Sequence, residues 1–453
     1  EGFEPEGAAL EARLDAYLRE NVPRTGVPGV AVAVVDADGV RYLDTFGDCP
    51  GADAPFVIGS LSKSFTAAAV MQLAEQGLVD LDAPASSYAP GYDVPDEVTV
   101  RSLLNQTSGF GYDESLADAQ VGDTFGTFSY ANANYDLIGR VVEGATGETY
   151  AAYLDEHVLG PLGMASSTAD ADEAAALGMA PGHRDWFGLH LADGFRHAQG
   201  DSAWGGPASG YVAASAEDMA SYLRMYLNDG ATDGGARTLS PDSVRSMFLD
   251  RVPDPAGDTY YGMGWTSFYW DDGELVLSHD GQVENYVASM CLLPERGIGV
   301  AVLGDANDNA GGNDRFFDLA GGVVSVAVGG APGPVDVAWA ALWRQRTDVL
   351  YACALLAAAV PLLLTGRWRR RLASVPRRRL LAQGLGLHAA LPVAILALPL
   401  QWGAPWRDLL AFSPDAALVL VLCAALLVVA GAAKLALLAK PAAKPPPGSA
   451  RMR

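Results

Sequence analysis

With 453 residues, 54 acidic and 30 basic side chains, this chain carries a formal net charge of −24 at pH 7. It is too long for one small domain, and so acidic a surface repels phosphate backbones, which excludes nucleic acid as a partner. The charge divides unevenly: residues 1–350 hold 52 acids against 17 basic groups, and residues 351–453 hold 2 against 13.

In chain order, residues 7–20 read as an amphipathic helix. Val27–Val35 and Val40–Phe46 are β-rich runs joined at Asp36–Gly39, whose Asp-Ala-Asp-Gly is a hairpin signal. FVIGSLSK follows at 56–63, and Lys63 is the one lysine in the first 433 residues. Elsewhere in that stretch arginine supplies the positive charge. Arginine stays protonated, whereas a buried lysine can become a neutral base, so Ser60 and Lys63 read as a nucleophile and its base. The bland reading is a surface lysine with a serine nearby by chance. Ala67, Ala68, Val70, Met71, Leu73 and Ala74 then run unbroken to Gly77, a helix with a glycine cap. Ser60 and Lys63 are expected in its first turn, where the positive helix end favours an oxyanion and disfavours a charged lysine.

From about 76 to 255 the pattern is helix and loop, with Tyr135–Gly144, Ala151–Val158 and Ala216–Leu227 as the clearer helices. Strands return at Leu275–His279, Glu284–Leu293 and Ile298–Gly304, the last two joined at Pro294–Gly297. Strands at both ends of one domain pair most simply into a single antiparallel sheet. The helical middle then forms a second lobe, with the cleft between the two. The cysteines, Cys49, Cys291, Cys353 and Cys423, form no C-x-x-C or metal-ligand cluster. A Cys49–Cys291 disulfide is left open.

Val349–Thr365, Leu380–Leu400 and Ala416–Ala433 are apolar runs of about the spanning length. Seven arginines lie between the first two runs, and the last twenty residues hold five basic groups and no acid. The positive-inside rule places that loop and the tail in the cytoplasm and the acidic domain outside the cell. Such a topology requires export, so the numbering is expected to start after a cleaved leader. The expected organisation is a catalytic domain over 1–330, a linker at 331–347, a membrane domain of three helices over 348–437 and a basic tail at 438–453.

Two further motifs follow the S-x-x-K in order: Tyr130-Ala-Asn132, inside FSYANANYDLIGRVVEGATGETY at 128–150, and His279-Asp-Gly281. Singly these are weak signals. In this order, with IGSLSKSFTAAAVMQLAEQGLVDLDAP, LLNQTSG at 103–109, GPLGM at 160–164, SGYVAASAEDMASYL at 209–223 and YGMGW at 261–265, the chain resembles the serine β-lactamase and penicillin-binding-protein superfamily, its class C-like branch above all. The resemblance covers roughly residues 10–310. It implies an α+β fold, an antiparallel sheet flanked by helices with a helical second lobe.

It also implies roles. Ser60 would form an acyl-enzyme, Lys63 would take its proton, and Tyr130 would share the base role and pass a proton to the leaving group. Asn132 would hold a substrate amide or Lys63 itself. The backbone N–H groups of Ser60 and Gln282 would form the oxyanion hole, and Gly281 would let substrate lie close to the strand. Many β-lactamases and carboxypeptidases carry lysine where this chain has His279. An ordinary histidine is mostly neutral at pH 7, so carboxylate-bearing substrates should bind less well.

The expected function is a membrane-anchored extracellular serine hydrolase acting on an ester or amide of a small molecule or peptide, with no cofactor and no metal. A D-alanyl-D-alanine carboxypeptidase or β-lactamase is the alternative, and a non-catalytic acylable sensor is another. His183, His190 and His197 lie in a polar loop region and are assigned no role.

Overall fold

The computed structural model describes residues 6–371, 375–401 and 405–439. The chain divides into two compact units, one ending at Arg344 and the other beginning at Gln345.

The first unit is built on an eight-stranded antiparallel sheet. In chain order its strands are β1 (Gly29–Asp36), β2 (Val40–Gly47), β3 (Val252–Pro253), β4 (Tyr260–Gly262), β5 (Trp265–Tyr269), β6 (Leu275–Gln282), β7 (Val287–Leu293) and β8 (Ile298–Gly304). The spatial order is β2-β1-β8-β7-β6-β5-β4-β3. The first and last thirds of the unit therefore meet at β1 and β8, where Val30 pairs with Gly304 and Asp36 with Ile298.

Period-two alternation explains why β1 is apolar throughout. Val30, Val32 and Val34 enter a core closed by Leu14, Leu18 and Val22 of α1 (Glu6–Thr25) and by Phe316, Leu319 and Val323 of the late helix Gly312–Ala327. Ala31, Ala33 and Val35 face the opposite way, into the core that also holds α2 (Ser62–Glu75), α3 (Asn132–Thr146) and α4 (Ala216–Leu227). With helices on both faces, no residue of the strand except Asp36 escapes full burial.

The hairpin, the three later strands and the helices over 132–146, 150–159 and 216–227 lie where their sequence patterns place them. The edge strands β3, β4 and β5 extend the sheet beyond the expected set. They are two to five residues long, too short for a periodic signal. The same holds for a small sheet formed by His183–Trp186 and Leu189–Leu191, in a stretch read as polar loop, with Ala306–Asn307.

The second unit contains three helices long and apolar enough to cross a membrane: Ala338–Arg370, Arg378–Gln401 and Pro414–Ala439. Each encloses one of the apolar runs, and the first begins within the preceding unit. The basic tail lies outside the described residues beyond Ala439. All four cysteines are free, so Cys49 and Cys291 are not paired.

Candidate active site

The serine turn is shaped by two glycines that approach each other across the sheet edge. Gly59 has φ +58°, a conformation that L side chains rarely adopt. A Cβ on it would fall 2.5 Å from the Gln282 backbone nitrogen. A Cβ on Gly281 would fall 2.1 Å from the Ile58 carbonyl oxygen. Only with both glycines can β6 lie against the turn, which sets Ser60 beside the Gly281–Gln282 peptide. The turn itself is a short 3₁₀ segment, Gly59–Leu61, and the α-helix begins at Ser62. Ser60 thus precedes the first α-helical turn instead of lying in it, because Gly59 and the strand contact hold the backbone tighter than an α-helix allows.

Lys63, in the first turn of α2, has no exposed surface. Its Nζ lies 3.1 Å from Ser60 Oγ, 2.7 Å from Asn132 Oδ1 and 2.6 Å from the Ser209 carbonyl oxygen. The last two can only accept. Burial lowers the affinity of Lys63 for its proton, opposed by the nearby carboxylate of Asp136. A neutral amine has two hydrogens and one lone pair. Asn132 and Ser209 take the hydrogens, and the lone pair is left to face Ser60.

Tyr130 completes the cluster by donating its hydroxyl hydrogen to Ser60 Oγ at 2.7 Å. Its ring centroid lies 4.7 Å from Lys63 Nζ. Burial pushes its hydroxyl well above the usual phenol range, so it is held protonated. Asn132 opens α3, and its amide nitrogen donates to the Trp204 carbonyl at 3.3 Å, which fixes its oxygen toward Lys63.

Sequence reasoning assigned nothing to Asp136, one turn further along α3 on the same face. Its carboxylate accepts from the Gly206 N–H at 2.9 Å, and the Ser209 hydroxyl donates to the Gly206 carbonyl at 3.2 Å. It therefore holds the loop whose Ser209 carbonyl binds Lys63. Burial raises its pKa, against the pull of Lys63 and Arg140. The i, i+4 spacing from Asn132 was the available signal.

His279 lies on the same face of β6 as the core residue Leu277 and as Gly281. Its Nδ1 is 2.8 Å from the Asp280 carbonyl, so Nδ1 carries the hydrogen, and Nε2 accepts from the Tyr261 hydroxyl at 3.3 Å. Burial, with Lys63 adding to it, lowers its pKa to about 3. The ring is neutral, and Tyr261 packs edge-on against both it and Tyr130. The Gln282 side chain donates to Asn309 Oδ1.

His183, His190 and His197 lie apart from this cluster in the hydrogen-bond network. His183 bonds the Asp305 carbonyl, His190 the Gly26 carbonyl, and His197 the Glu284 carboxylate at 2.7 Å. Among the described residues two groups have metal-like spacing, Glu148–Glu156–His157 and Asp185–His190–Asp308. In the second, Arg344 pairs with both aspartates, so positive charge is already supplied there.

The beta-lactamase family profile matches residues 10–320. Penicillin-binding protein 4 of Amycolatopsis lactamdurans is 30% identical over 379 residues, 73% of this chain and 95% of the relative. Protein flp of Staphylococcus aureus strain MW2 is 23% identical over 335 residues, and the match spans 63% of that protein. Among solved structures, the octameric penicillin-binding protein homologue from Pyrococcus abyssi superposes with a TM-score of 0.58 at 24% identity, over 71% of this chain and 78% of the other. A D-stereospecific amidohydrolase from Streptomyces sp. does so with a TM-score of 0.51 at 22% identity, over 70% and 98%. At these identities the structural likeness is one of fold.

Proposed function

Because this chain belongs to the beta-lactamase family, we propose that it is a serine hydrolase that cleaves an ester or amide through an acyl-enzyme on Ser60. The observation that carries this reading is the buried amine of Lys63, 3.1 Å from Ser60 Oγ with two acceptor-only partners. Ser60 Oγ attacks the substrate carbonyl carbon while its proton passes to Lys63 Nζ. The developing oxyanion is met by the backbone N–H groups of Ser60 and Gln282, which the two close-approaching glycines bring together. Tyr130, held as a phenol, gives its proton to the leaving group and regains one from Lys63. The role that fits it is proton relay. Water then attacks the acyl carbonyl by the same path in reverse and frees Ser60.

A fluorophosphonate probe should label the protein on Ser60, and Ser60→Ala should abolish the label. Labelling that survives the substitution would assign the nucleophile to another serine and overturn the proposal.

The name of the Amycolatopsis relative favours a second reading, action on penicillin-like or D-alanyl substrates. Against it stands His279, neutral and committed to Asp280 and Tyr261, which offers no cation to a substrate carboxylate. Neutral esters and amides are therefore the preferred class, tested by kcat/KM for a neutral ester against its carboxylate analogue. The apolar helices make this a membrane-anchored enzyme in our reading, with the catalytic unit outside the cell and the arginine loop inside.

A further inference from the structure

The second unit forms a half-open cavity of about 490 Å³ among its long helices. If those helices cross a bilayer in turn, the end of the first, the start of the second and the end of the third share one face, the face of the arginine loop. Trp368, Leu380 and Lys434 line the cavity close to those three ends.

Lys434 is the polar centre of this cavity. Its Nζ lies 2.9 Å from His388 Nε2 and 5.7 Å from the centre of the Trp368 ring. His388 Nδ1 lies 2.7 Å from the Leu427 carbonyl, which only accepts. The imidazole is thus a neutral acceptor for one ammonium hydrogen, and it cannot neutralise the charge. The ammonium keeps two further N–H groups. His388 sits on a π-helical turn, Gly386–Ala390, a local irregularity often found at functional sites. It packs so tightly on Gly431 that a Cβ there would fall 2.6 Å from its own.

Charge balance identifies the missing partner. From 351 to 453 the sequence contains two acids, Asp408 and Asp415, both on the connector side of the second and third helices, away from the arginine face. A cation inside an apolar helix needs a counter-ion, and this unit's own sequence provides none at that face. A cavity of this size with an apolar wall and one convergent cation suits an amphiphilic anion.

We propose that this cavity is a binding site for an anionic phospholipid, its phosphate on Lys434 and an acyl chain against Leu380, Leu387 and Leu435. The proposal rests on the helices being membrane-spanning and is independent of the chemistry at Ser60.

The test is native mass spectrometry of the full chain in detergent after incubation with phosphatidylglycerol or phosphatidylcholine of identical chains. Retention of one phosphatidylglycerol, at least tenfold over phosphatidylcholine, is expected. Two variants separate the cavity from general attraction to the arginine face. Lys434→Met removes the charge, whereas Gly384→Phe fills the cavity at a wall position where a Cβ meets no atom within 4 Å and leaves every charge in place. Both should reduce phosphatidylglycerol retention to the phosphatidylcholine level. Equal retention of the two lipids by the wild type, or a preference that survives both variants, would overturn the proposal. Displacement of the bound lipid by millimolar inorganic phosphate would assign the site to a free anion and overturn the lipid assignment.

Discussion

At the scale of residues, the proposed reaction turns on the protonation of one amine. Lys63→Arg keeps the charge and much of the length but cannot supply a neutral base, because a guanidinium stays protonated. Its kcat/KM should fall by roughly two to four orders of magnitude, the usual loss for a general base, and nearly as far as Lys63→Ala. An arginine variant with near-normal turnover would show that the site needs charge and not basicity. Asp136 acts on the same amine from the side. Its carboxylate favours the charged form of Lys63, while burial favours the neutral one. The proposed reaction uses the neutral amine, so activity should rise with pH through the Lys63 pKa, which burial sets below the ordinary 10.5. Asp136→Asn keeps an acceptor for the Gly206 N–H and removes the negative charge. Lys63 should then lose its proton more easily, moving the acid limb of the kcat/KM profile down by on the order of one pH unit. A limb that stays in place, with Tm unchanged, would reduce Asp136 to a loop anchor.

At the scale of elements, the site depends on β6 lying against the serine turn. Gly281→Ala tests that contact directly, since the added methyl would meet the Ile58 carbonyl at 2.1 Å and force the two backbones apart. The Gln282 N–H would then leave the oxyanion position. Loss of one such donor costs about 10²- to 10³-fold in kcat, while overpacking of this kind costs about 1–3 kcal/mol of stability. A folded variant with kcat down by that factor and Tm lowered by a few degrees is the expected outcome, read by steady-state kinetics and thermal denaturation. Normal kcat would mean that the Gly281–Gln282 peptide is not part of the oxyanion site. The long elements were legible because burial on both faces, or on one stripe of a helix, writes a period into the residues. The edge strands β3–β5 were not, since two to five residues cannot carry a period, and pairing in succession, β5 on β6, β4 on β5 and β3 on β4, makes them strands.

At the scale of the whole molecule, charge separates the two units. The first part carries the acidic charge, and the apolar second part has the length and composition to span. A reporter fused after Arg453 should behave as cytoplasmic, while protease added to intact cells should reach the domain holding Ser60. Both ends on one side would mean an even number of spans, and Arg378–Gln401, which carries Gln383 and His388, would be the helix to doubt.

The sequence by itself determined the class of fold and the family, and it pointed to the residues at which to look for chemistry. A lone lysine three places after a serine, a Tyr-x-Asn and a His-x-Gly are local signals that survive without any structure. Tertiary structure decided how these groups are wired. That Lys63 is buried against two acceptor-only partners, that Tyr130 is held as a phenol and His279 as a neutral ring, and that Asp136 holds the Ser209 loop all depend on segments far apart in the chain. Desolvation and hydrogen-bond partnership belong to the packed arrangement, because only there do residues 63, 132 and 209 exclude water and bind one another.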